Sequence, residues 1–114
     1  MPVPAFNLYP DFNVVRVSHT ELVVNDLAAS RAFYVDTLGL QVSTEDSEMI
    51  CLRAMEERGH HCLILRKGID PCCSYLAFRV YSEEDVDKAA AHFSAKGMTT
   101  EWVERPFQGR TLRV

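Results

Sequence analysis

Two stretches of this chain carry the same order of hydrophobic and polar positions. An alternating apolar run, TELVV (Thr20 to Val24), leads into NDLAASRAFYVDTLG, which passes from the polar cap Asp26 through an amphipathic segment to Gly39. A second alternating run, YLAFRV (Tyr75 to Val80), leads into YSEEDVDKAAAHFSAKG, which passes from Ser82 to Gly97. The offset is 56 residues from cap to cap and 58 from glycine to glycine, so the chain contains an internal repeat. After Gly39 come three strand-like runs, Leu40 to Thr44, Met49 to Met55 and His61 to Arg66. After Gly97 there are only two, Met98 to Val103 and Thr111 to Val114.

The pattern within each copy fixes the element types. Val14 to Asn25 alternates, with apolar residues on both faces in its second half, which predicts a central strand covered on both sides. Asp26 can accept the free amide protons of a first helical turn. Leu27, Tyr34, Val35 and Leu38 recur at helical spacing, and Gly39 supplies a left-handed terminus. In the second helix, Ser82 with Asp85 approximates a capping box, and Glu83 and Glu84 place negative charge at the positive end of the helix dipole. Lys96 sits at the opposite end, and Val86, Ala89, Ala90 and Phe93 form the buried stripe. The predicted fold is α+β, built from tandem βαβββ units over 14–68 and 74–114, the second lacking its last strand. The two units form a single domain over 14–114. Residues 1–13 hold three of the five prolines and show no sustained period, which predicts an N-terminal arm on the surface or disordered.

Size and composition narrow the function classes. A chain of 114 residues buries one core, and its 47% hydrophobic and 25% charged content is that of an ordinary globular protein. A formal charge of −4 with no basic run argues against nucleic acid, and no window reaches a membrane span. The N-terminus has no basic segment followed by an apolar one, so a cytoplasmic location is expected. Cys51, Cys62, Cys72 and Cys73 form no CxxC pair. They are expected to be reduced, with Cys51 and Cys62 neighbours across a hairpin and the vicinal pair in a loop after Pro71.

The string HTELVVNDLAASRAFYVDTLGLQV resembles the vicinal oxygen chelate superfamily, which includes glyoxalases, bleomycin-resistance proteins and type I extradiol dioxygenases. The matching positions are His19, Asp26, Leu27, Ser30, Phe33, Tyr34, Leu38, Gly39 and Leu40. The stretch ICLRAMEERGHHCLILRKG, Ile50 to Gly68, is similar to the N-terminal domain of 3,4-dihydroxyphenylacetate (homoprotocatechuate) 2,3-dioxygenases and related catechol dioxygenases. The resemblance runs from about Val14 to Val114. It implies a non-catalytic N-terminal domain, or a truncated homologue, of an enzyme that inserts oxygen into a catechol ring. In that group Fe(II) or Mn(II) is held by a second domain. No cofactor is therefore expected in this chain, and its partners are a catalytic C-terminal domain and further copies of itself, joined through sheet edges.

The resemblance also marks where single-domain relatives hold metal. Those positions fall on His19, on Tyr75 by the 56-residue offset, and near Ile64, with no counterpart for the fourth. A divalent ion with N and O ligands needs three or more protein groups. No catalytic residue is assigned; His19 is the one metal candidate, read first as a packed remnant, and Glu21, on its face by parity, could partner it in a weak adventitious site. His60 and His61, taken as strand neighbours, would point to opposite faces. The cleft candidates are thus His19, Glu21, His61 and Tyr75. His92 is placed on the second helix, the acidic cluster Glu83, Glu84, Asp85 and Asp87 is read as helix-capping charge, and Arg105, Phe107 and Arg110 fall in a loop. Two rival readings follow from the same superfamily. One is a bleomycin-resistance-like module that binds a small molecule; the other is a glyoxalase-like metalloenzyme completed by a partner chain.

Overall fold

A computed structural model describes residues 1–114. The elements run β1 (Val14–Val24), α1 (Leu27–Arg31), a π-helical segment (Ala32–Thr37), β2 (Gln41–Glu45), β3 (Met49–Arg53), β4 (Leu63–Lys67), β5 (Cys72–Val80), α2 (Glu83–Ala95), β6 (Glu101–Val103) and β7 (Thr111–Arg113). Five strands form one sheet in the order β2-β3-β4-β1-β5, and β6 pairs with β7 in a second. The α+β repeat is present, with three strands following the first helix and two following the second. No helix is long and apolar enough to cross a membrane.

The chain divides into two compact units, residues 17–78 and residues 1–16 with 79–114. In the first, β1 and β4 are parallel, with Glu21 opposite Ile64 and Val23 opposite Arg66. β3 is antiparallel to β4, with Cys51 opposite Ile64 and Met49 opposite Arg66. Because side chains alternate along a strand, these registers sort the sheet into two unlike faces. One carries Ile50, Leu52, Leu63 and Leu65, the buried core, against which Leu22, Val24, Leu27, Tyr34, Val35, Leu40 and Val42 pack. The other carries His19, Glu21, Cys51, Ile64 and Arg66. Burial of apolar area on the first face drives the assembly of the sheet.

The first helix starts as expected, with the Asp26 carboxylate accepting from the Ala29 amide at 2.9 Å. Its second half differs from expectation. The π-helical turn carries Leu38 N–H back to the Phe33 carbonyl, and Leu40 N–H to that of Tyr34. A π turn holds more residues per turn than an α-helix, so the helical phase slips. Leu38 is turned outward, 54% exposed, and Leu40 takes the core position instead. Gly39 has φ 80° and Gly97 φ 76°, the left-handed backbone both helix ends require.

In the other unit, the Ser82 hydroxyl accepts the Asp85 amide and donates to the Asp85 carboxylate at 2.7 Å, closing the predicted cap. Asp85 is buried and also accepts the Asn13 amide at 3.0 Å. These bonds hold its carboxyl below the usual range, the Ser82 hydroxyl first and the Asn13 amide next. The acidic cluster therefore does more than cap the helix: Asp85 fastens the end of the N-terminal arm. Phe12 packs edge-on against His92 and Phe93, and Asp11 meets His92 at 2.6 Å, while residues 1–11 are exposed. Asp87 pairs with Arg110, which lies over the Trp102 ring at 4.0 Å.

Candidate functional site

The polar face of the five-stranded sheet gathers most of the chain's titratable groups of interest. His19 on β1 is 4% exposed; its Nδ1 shares a hydrogen bond with the Ser18 hydroxyl at 3.0 Å and its Nε2 with the Tyr75 hydroxyl at 3.2 Å. Tyr75 reaches it because β5 lies beside β1, so the two positions related by the repeat offset sit together. The Thr20 hydroxyl donates to the Tyr75 carbonyl at 2.9 Å, fastening the two strands. His61 packs edge-on against His19 with ring centroids 4.5 Å apart. Of the four cleft candidates, His19, His61 and Tyr75 are therefore neighbours.

Glu21, two residues along β1, is engaged elsewhere. Arg66 donates to both of its carboxylate oxygens, at 2.9 and 3.2 Å, a fork-to-fork pair of the strong bidentate kind. The carboxylate side chain is 5% exposed and the arginine 43%. Arg66 also points Nη2 at the Met49 sulfur, 3.7 Å away. Its hydrogen bonds to the Glu21 carboxylate hold the guanidinium charged and push its pKa up, against the opposing effect of burial.

Two sequence readings are corrected by the strand boundaries. His60 and His61 do not belong to a strand, since β4 begins only at Leu63 and both lie in the connection from β3. Strand alternation consequently does not separate them, and their Nδ1 atoms lie 2.9 Å apart. His60 also reaches Thr44 on β2, Nε2 to hydroxyl at 2.9 Å. Cys72 and Cys73 open β5 rather than occupy a loop, with the Cys73 sulfur 3.3 Å from the Thr20 hydroxyl. All four cysteines are free; Cys51 is buried, and the Cys62 amide bonds the Leu52 carbonyl across the hairpin. Cys51, read as a buried thiol, and His60, read as unable to share an ion with His61, complete a cluster with His61 in which one ligand atom from each lies within 4.8 Å of the others. Pairing registers across three strands were needed to see it.

Burial is the main cause that pushes the His61 pKa down from 6.5 to about 4, with repulsion from His19 and then His60 adding to it and Glu57 opposing. The unfolded chain takes up this proton near 6.5 and the folded chain only near 4. The contribution of neutral His61 is thus intact above pH 6.5 and is lost as pH falls toward 4. The expected loss is about 2 to 3 kcal/mol. Denaturant unfolding at pH 7 and pH 4 measures it, with His61→Gln showing a correspondingly smaller change. An equal pH dependence in that variant would refute the assignment.

The family description "Glyoxalase/Bleomycin resistance protein/Dioxygenase superfamily" matches residues 16–110. The chain belongs to that superfamily. It is similar to the manganese-dependent 2,3-dihydroxybiphenyl 1,2-dioxygenase of Geobacillus genomosp. 3, with 30% identity over 88% of this chain and 33% of the relative. It is also similar to the metapyrocatechase of Geobacillus stearothermophilus, with 23% identity over 83% of this chain and 29% of that protein. Among solved structures, homoprotocatechuate 2,3-dioxygenase from Brevibacterium fuscum, in complex with 3,4-dihydroxyphenylacetate, matches with 46% identity and a TM-score of 0.85. The match covers 94% of this chain and 34% of that one. The chain thus spans about a third of the length of these dioxygenases and corresponds to their N-terminal portion.

The metal positions that the resemblance implies fall on His19, on Tyr75 and near Ile64. Ile64 is buried and apolar, and offers no donor. His19 and Tyr75 are hydrogen-bonded to each other, and Glu21, opposite Ile64 in the register, is held by Arg66. This donor set does not fit a hard divalent ion of the Fe(II) or Mn(II) kind, which needs three or more oxygen and nitrogen ligands free to converge.

Proposed function

We propose that this chain is the non-catalytic N-terminal domain of an extradiol ring-cleaving catechol dioxygenase, acting on a substrate of the 3,4-dihydroxyphenylacetate class. The observation that supports the reading is a match to a third of such an enzyme at 46% identity, with the buried, apolar Ile64 near an expected ligand position. The polar face then serves as a hydrogen-bonded support, and the Fe(II) or Mn(II) that activates catechol and dioxygen is held by residues outside this chain. Its partners are that catalytic domain and further copies of itself. The two end strands of the sheet, β2 and β5, offer the edges for such contacts, and Leu76 and Phe78 on β5 are half exposed. Four free cysteines fit a cytoplasmic setting.

Oxygen uptake with 3,4-dihydroxyphenylacetate and added Fe(II) tests the reading. The 114-residue chain is expected to show none above the metal-salt blank, and a version extended to the natural stop codon to cleave the ring. Cleavage by the short chain, or none by the extended one, would overturn it.

A further inference from the structure

We propose that Cys51, His60 and His61 form a binding site for a thiophilic metal ion of the Zn2+ class. The three side chains converge because of how the hairpin closes. Cys51 is fixed on β3, and the bond from the Cys62 amide to the Leu52 carbonyl at 2.8 Å brings the β3–β4 connection back beside it, with both imidazoles in that connection. One ligand atom from each residue then lies within 4.8 Å of the others. A tetrahedral zinc ion with one sulfur and two nitrogen ligands needs separations of roughly 3.3 to 3.6 Å, which lie inside that limit and are reached by side-chain adjustment.

Two observations independent of that clustering point to a ligand. His61 is 7% exposed, and its Nε2 is buried without a hydrogen-bond partner. A buried polar atom left in this state costs about 1 to 3 kcal/mol, which a bound ion relieves once the ring turns to meet it. His60 is oriented from behind, its Nε2 on the Thr44 hydroxyl, and Thr44 is the register partner of Cys51 on β2. Such outer contacts are what metal-binding histidines ordinarily possess.

The donor types choose the ion. One thiolate and two neutral imidazoles suit Zn2+, whereas Mg2+ and Mn2+ favour oxygen. Binding releases the Cys51 proton to solvent, and three protein ligands leave the fourth position to water. The site is independent of the ring-cleavage reading, since none of its ligands occupies a superfamily metal position.

The test uses the whole chain, stripped of metal, with Zn2+ titrated against a chromophoric chelator and Co2+ as a spectroscopic substitute. One Zn2+ per chain is expected, with a thiolate-to-metal charge-transfer band in the Co2+ form. Cys51→Ser and His61→Gln should weaken Zn2+ by at least about 100-fold, and Thr44→Val by about tenfold, as loss of an outer contact does. Cys72→Ser and Cys73→Ser should change nothing. No saturable Zn2+ binding, affinity unchanged in Cys51→Ser, affinity lost with Cys72 or Cys73 instead, or a Co2+ complex without the thiolate band would each overturn the proposal. The band is read in the unaltered chain, so the proposal stays open to refutation even where Cys51→Ser does not fold.

Discussion

Leu65→Ala is expected to lower the unfolding free energy by about 3 to 4 kcal/mol. Leu65 is 0% exposed at the middle of β4, on the face covered by the first helix and its π-helical extension. Truncation removes three buried carbons and leaves a void between a rigid sheet and a helix whose approach is fixed by Leu27, Tyr34, Val35 and Leu40, so little collapse can fill it. For a domain whose whole stability is of order 5 to 15 kcal/mol, that is a large fraction. Urea unfolding followed by circular dichroism measures it through the midpoint at unchanged slope. A change below about 1 kcal/mol would mean that this face is not the core.

The next residue along β4 probes the opposite face. Arg66→Met is expected to cost about 3 kcal/mol, because it leaves the Glu21 carboxylate buried without its bidentate counter-charge. The arginine is partly solvated, which keeps the figure toward the low end of the range for broken buried pairs. Replacing both partners, Glu21→Leu with Arg66→Met, should restore most of the loss, since an apolar pair of similar volume needs no compensation. A double-mutant cycle in the same urea assay reads this coupling directly. Additive losses, with the double variant worse than either single, would show that the pair is not a unit.

What could be read in the sequence and what could not divide along the range of the interactions. The Asp26 and Ser82 caps and the left-handed Gly39 and Gly97 depend on a few consecutive residues, and each was legible. The central place of β1 followed from apolar residues on both its faces, and the repeat offset put Tyr75 against His19. Leu38 was misplaced because one π turn shifts the phase of everything after it, and apolar spacing alone does not announce such a turn. His60 and His61 were misread because the strand was begun two residues early, at His61 instead of Leu63. The Glu21–Arg66 pair and the Thr44–Cys51–His60 cluster depend on the parallel register of β1 with β4 and the antiparallel one of β2 with β3. Nothing local encodes those registers.

We propose that the polar face is a hydrogen-bonded support and not a cage for a hard divalent ion. Titration of Mn2+ against the chain, followed by its electron paramagnetic resonance signal, tests this most directly. The signal of free Mn2+ should persist undiminished at equimolar chain. Its one-for-one disappearance, reversed by His19→Ala, would contradict the account.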